Sequence, residues 1–381
     1  MKKKNFGIYL SLLVALLLSS CMSEEKFDTA GGDKLTFSTD TLKMDTVIAG
    51  VGTSTKYLMI YNRNSDGVSI TNVTFEGGAN NGFRVNVDGV YINNGFSGTI
   101  DCRKKDSLRV FVELTPTQTN SDEPVPMSSN LIFTLANGIS QKVTLTASVQ
   151  DVTVMRGVHI QKDTTLSARR PYLIYDSLTV EQGATLTLAA GTRYYFHSNA
   201  GLRVDGCLQA QGTLQEPVVL RGDRTDLMFV NQPYDRISNQ WQGIRFTKNS
   251  YGNHLNNCDI HSGHDGIVCD SSDVTREKLR LENSIVHNMA GDCLRAFASK
   301  IFVGNSQITN AASHCVSLYG GDADFIHCTV ANFYPFSGLR GTALFYTNEY
   351  NGEACPIVQA FFRNCLITGH SQDEITGAKS E

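Results

Sequence analysis

The stretch HLNNCDIHSG, residues 254–263, sets a thiol, a carboxylate and two imidazoles within eight positions, with His264 and Asp265 directly behind. These side chains ligate transition metals or move protons to and from a substrate. Just upstream, RGDRTDLMFVNQPYDRISNQW, residues 221–241, gathers Asp223, Arg224, Asp226, Tyr234, Asp235, Arg236 and Trp241. Paired aspartates flanking a glycosidic bond are the machinery of glycoside hydrolysis, so Asp223, Asp226 and Asp235, with Arg236 beside them, are the residues to weigh for catalysis, and the stretch spells out no complete catalytic motif. The same stretch also suits sugar binding, because an aromatic ring covers the apolar side of a pyranose while polar groups take its hydroxyls. YPFSGLRG, residues 334–341, and FYTNEYNGEAC, residues 345–355, offer a second such set. The ligand-binding candidates are therefore Arg224, Tyr234, Trp241, Tyr334, Tyr346 and Tyr350.

What positions these residues is a repeat. NCDIHS at Asn257 recurs as NSIVHN at Asn283, NSQITN at Asn305, HCTVAN at His327 and NCLITG at Asn364, at intervals of 26, 22, 22 and 37 residues. A second short strand begins ten positions after the first three, at Ile267, Cys293 and Cys315. Repeats of this length with β-branched strands describe a solenoid of stacked coils, so columns matter more than neighbours. The second column holds Cys258, Ser284, Ser306, Cys328 and Cys365. The sixth holds Ser262, Asn288, Asn310, Asn332 and Gly369, types suited to a left-handed corner, and its asparagines can bond along the stack.

Columns also weigh the histidines. His261 and His287 share one and face the same way, so with Asp265 or Asp292 they offer a metal site. Later coils place Thr309, Ala331 and Thr368 there. The column does not demand histidine, and the preferred reading is architectural, as surface residues flanking a corner, with no metal expected. Cys293 and Cys315 stack one coil apart at about 4.8 Å, within the Cα range of a disulfide. In-register side chains point in parallel, however, and buried free thiols are the expectation.

The asparagine column resembles the ladder of the right-handed parallel β-helix of the pectate-lyase-like superfamily. YLIYDSLTVEQGATLTLAAGTRYYFHSNAGLRVDGCLQAQGT is similar to the first coils of such proteins, and the likeness runs from about Val154 onward. The resemblance implies an all-β fold and leaves function open. Lyases of that superfamily hold calcium on acidic residues, so calcium is expected only if the chain is a lyase, and otherwise no cofactor. The final GHSQDEITGAKSE offers no capping segment, as though the chain were part of a longer protein.

Ahead of the β-helix, residues 35–152 alternate apolar and polar positions in short runs bounded by turn residues, which predicts a β-sandwich. Asn137 and Gly138 are expected to supply the positive φ of a hairpin turn. The segment is similar to immunoglobulin-like modules of surface lipoproteins. Residues 22–34 read as a flexible tether and 153–381 as the solenoid. MKKKNFGIYLSLLVALLLSSC has the layout of a secretory leader, and its LSSC resembles a lipobox, which implies lipidation of Cys21. Glu24 and Glu25 resemble a Gram-negative surface-export signal, placing the protein on the outer membrane, facing out. Without Lys2, Lys3 and Lys4, 30 basic residues face 37 acidic ones, a balance of about −7 that excludes a nucleic-acid footprint. The expected partners are the membrane, through the lipid, and a polysaccharide or host glycan. The preferred function is a glycan-binding or structural/adhesion module, and the alternative is a polysaccharide lyase or glycoside hydrolase.

Overall fold

The structure, a computed structural model, describes residues 25–93, 95–229 and 231–378. Cys21 and the leader lie outside them. The chain is all-β and forms two compact units, one of residues up to Gln118 with Val125–Val149, the other of Thr119–Pro124 with Gln150 onward. No helix of the described residues is long and apolar enough to cross a membrane.

The first unit is a sandwich of two sheets. One orders Phe27–Asp28, Gly67–Phe75, Val125–Leu135, Ser140–Gln150 and Thr41–Ile48, with Gly95–Cys102 also paired to Gly67–Phe75. The other orders Thr36–Phe37, Lys56–Tyr61, Ser107–Leu114, Phe83–Val87 and Val90–Ile92. Period-two alternation drives each strand to bury one face, as Leu108, Val110, Val112 and Leu114 do. Two expectations need correction. The stretch taken for a tether is ordered over residues 26–34: Phe27 and Asp28 pair in parallel with Gly67 and Val68, and the Asp28 carboxylate accepts the N–H groups of Ala30, Gly31 and Asp33. In the hairpin only Gly138 has positive φ, at 85°. Asn137 contributes through its side chain instead, accepting the Ile139 N–H and donating to Asp28 and Asp33.

The second unit is a parallel β-helix with three faces. The first face stacks Cys207–Gln211, Asn253–Asn256, Glu277–Glu282, Lys300–Gly304, Gly321–Ile326 and Ile357–Arg363. The second stacks Arg193–Phe196, Val218–Gly222, Cys258–His261, Ile285–Met289, Gln307–Ala311, Thr329–Asn332 and Leu366–Gly369. The third stacks Gly201–Val204, Ile244–Phe246, Ile267–Cys269, Leu294–Phe297, Val316–Tyr319, Leu344–Thr347 and Ile375–Ala378. The long strand Tyr172–Val180 feeds both the second and third faces. Inside, one column runs Leu220, Ile260, Val286, Ile308, Val330, every member fully buried. Each such side chain contributes about 1.5–3 kcal/mol on leaving water.

Corners explain the repeat. Asn257, Asn283, Asn305, His327 and Asn364 all have φ between 48° and 55°, so the first letter of each copy is the left-handed residue that turns the first face into the second. Asn283 donates to the Asn256 side chain at 2.8 Å and Asn305 to Asn283 at 3.4 Å. The sixth column behaves as expected at Ser262, Asn288 and Asn310, which are left-handed, but not at Asn332 or Gly369. Asn332 instead holds the following loop, donating to the Gly341 and Ser313 carbonyls. In the second column, Ser284 and Ser306 accept the N–H groups of Cys258 and Ser284 from the preceding coil. Each also donates to the carbonyl two residues back, as the thiols of Cys258, Cys328 and Cys365 do. Serine and cysteine are interchangeable there for that reason. All nine cysteines of the described residues are free thiols, Cys293 and Cys315 among them.

Candidate functional site

Two long insertions leave the β-helix at the same corner, between second and third faces. Residues 223–241 follow the strand Val218–Gly222, and residues 333–341 follow Thr329–Asn332, four coils further along. Three short corners lie between them, so the insertions rise as two walls about a floor of second-face side chains. The walls meet where the Ser238 and Tyr334 hydroxyls lie 2.6 Å apart. Beneath is a cleft of about 660 Å³ lined by Asn231, Gln232, Arg236, His287, Asn288, Asn310, Pro335 and Phe336.

The floor carries the histidines. Parallel register sets His261 directly against His287, and their rings stack at 4.8 Å. Asp259, two residues before His261 on the same outward side, brings one oxygen to both. Its Oδ1 lies 2.8 Å from His261 Nδ1 and 3.1 Å from His287 Nε2. Burial alone would raise the Asp259 carboxyl, but the bonds to the two imidazoles outweigh it and hold the group well below the usual carboxylate range. Burial also depresses the His261 imidazole, against the pull of Asp259. This corrects the view of both histidines as surface residues: His261 is buried and only His287 reaches the cleft.

Asp265 and Asp292, expected as their partners, turn to the other side of the corner. There Arg295 of the third face donates to Asp292 at 2.6 Å and to Asp265 at 3.1 Å.

The structure distributes the remaining candidates. Asp223 pairs with His197 at 2.6 Å, Asp226 chelates Arg224 through two bonds of 2.7 Å, and Asp235 lies 3.4 Å from Arg221. Arg224 in turn lies 3.9 Å over the Tyr234 ring. The hairpin of Leu227–Phe229 with Gln232–Pro233 and the turn Tyr234–Arg236 then deliver Arg236 to the cleft. Trp241 cannot serve as a sugar platform. It is 1% exposed, stacks on Phe196 at 4.4 Å and donates its indole N–H to the His261 carbonyl. Tyr334 is likewise buried and acts as a strut between the walls. Tyr346 and Tyr350 belong to another part of the unit, where Tyr350 packs against Tyr319 and Phe297. The aromatic ring that does line the cleft is Phe336, 41% exposed, together with the amides of Asn231 and Gln232.

No family model matches this chain, and no curated protein does. Among solved structures it is similar to a family 123 glycoside hydrolase from Clostridium perfringens, 9% identical with a TM-score of 0.23. That match covers 34% of this chain and 30% of the hydrolase, so the chain spans under a third of its length. It is also similar to a PapD-like domain of human CEP192, 10% identical with a TM-score of 0.22, covering 34% of this chain and 92% of that domain. Likenesses this slight bear on neither activity nor ligand.

Proposed function

We propose that the chain is a lipid-anchored surface protein whose β-helix binds a glycan in the cleft between residues 223–241 and 333–341, without cutting it. The observation that carries the reading is the lining: a guanidinium, an imidazole, four amides and an exposed phenyl ring, with no carboxylate among the described lining residues. Amides and a ring suit a pyranose, and Arg236 favours an acidic sugar because a charge-assisted bond to a carboxylate or sulfate is the strongest contact available there. Asp223, Asp226 and Asp235, which a hydrolase would need beside the bond, are each paired with a basic side chain instead, His197, Arg224 and Arg221 respectively. The anchor rests on the leader and Cys21, and orientation toward the exterior on Glu24 and Glu25.

The test is a glycan array probed with the chain from Met22, followed by titration of each retained glycan. Acidic glycans should be retained, and Arg236→Ala and Phe336→Ala should each weaken binding about tenfold with the melting temperature unchanged. Release of unsaturated ends or reducing sugar, with or without calcium, and its loss in Asp223→Ala, Asp226→Ala or Asp235→Ala, would replace this reading with the enzymatic one.

A further inference from the structure

The Asp259, His261 and His287 cluster is the one group of three metal-competent side chains found among the described residues, its donor atoms all within 4.8 Å of one another. We infer that it binds a divalent transition-metal ion. Metal–ligand bonds of about 2 Å to nitrogen and oxygen set neighbouring donors about 3.3 Å apart in a tetrahedral shell. Two of the three separations here, 2.8 and 3.1 Å, are already close to that. Small rotations of stacked rings admit the ion.

The donor set selects the ion class. Two imidazoles with one carboxylate suit zinc, cobalt, nickel or copper, whereas calcium takes a shell of oxygens. Three protein ligands leave a fourth position open, and the cluster has a single side on which to place it. His261 is held from behind, because its carbonyl takes the Trp241 indole N–H and its ring is buried. His287 borders the cleft, so the open position faces the space beside Asn288 and Arg236. The register of parallel strands fixes one histidine over the other, and the site exists before any ion arrives. The inference shares His287 with the glycan reading but does not rest on it, since Asp259 and His261 take no part in the sugar lining and the zinc titration is read without any glycan.

The experiment titrates zinc by calorimetry into the untagged chain from Met22 after dialysis against chelator, with cobalt(II) absorption reporting the coordination shell. The cores of both units lie within residues 25–378, so that chain retains them. We expect one ion per chain, a rise in melting temperature with zinc, and a cobalt spectrum showing nitrogen ligation. Asp259→Asn and His287→Gln should each abolish binding while Trp241 fluorescence stays native. His254→Gln, whose ring bonds Glu282 on the first face, should leave binding unchanged. No uptake by the unsubstituted chain would overturn the inference, as would full uptake by a His261→Gln/His287→Gln double variant.

Discussion

Two clusters of titratable side chains, Arg295 with Asp265 and Asp292 and Asp259 with His261 and His287, sit on opposite sides of one corner of the β-helix. On the third-face side, every strong group is satisfied. Arg295 bonds both carboxylates, Asp265 also accepts the Asp292 N–H, and Asp292 also accepts the His314 N–H. On the second-face side, one carboxylate oxygen serves two imidazoles beside an open cleft. Saturation separates scaffold from site: the groups of the first cluster are bonded to one another and to backbone, and the second has metal-competent atoms converging on one point.

The largest effect expected from this contrast is on stability. Asp292 is 2% exposed, and Asp292→Ala removes the closer partner of Arg295 and strands the His314 N–H. Breaking such a pair from one side should cost about 3 kcal/mol. Urea unfolding followed by Trp241, the one tryptophan of the chain and a core residue of the β-helix, measures that unit alone. A loss below about 1 kcal/mol would mean that the saturated cluster is not scaffold.

The open cluster should be destabilised less. Asp259→Asn keeps an acceptor at the same place and size, so the same unfolding experiment should show a smaller loss than Asp292→Ala does. Its visible consequence should be in ligand uptake. A destabilisation equal to that of Asp292→Ala would erase the difference between the two sides and make both clusters structural.

Much of the architecture was legible because it depends on period alone. The recurring phrase placed His261 over His287, 26 residues on, and small residues in one column, and the stack has both. The partner of the histidines was not legible, because Ser262 turns the chain at φ 64° and sends Asp259 and Asp265 to different faces. An acid three residues after the turn looks as near in sequence as one three residues before it. Trp241, at the head of a strand, was legible as either a packed residue or a sugar platform, and its stack on Phe196 decides for packing. Phe336 was passed over because the cleft depends on two insertions leaving one corner. That becomes visible only when VVLRG is aligned with the second-face strands.

The smallest effect tests the interchange of cysteine and serine within a column. Burial pushes the Cys258 thiol up to about 12, whereas an unfolded thiol ionises near 8.5. Between those values the unfolded chain has released the proton and the folded chain retains it. Folding is therefore opposed as pH rises, by about 1.4 kcal/mol per pH unit for this group. Cys269, also about 12, and Cys328, about 11, act in the same direction within the same unit. Burial lowers Lys278, so this group works against them: over the interval below its ordinary value the unfolded chain is the one that binds the extra proton. Cys258→Ser places in the column the residue that Ser284 and Ser306 already supply, and its hydroxyl can donate to the Asn256 carbonyl as the thiol does. It should change stability at neutral pH by less than about 1 kcal/mol and reduce the alkaline slope of unfolding by one proton. An unchanged slope would mean that this thiol is not shielded as its neighbours are. A large neutral-pH loss would mean that each coil fits only its own residue, and that the column is less interchangeable than its hydrogen bonds make it.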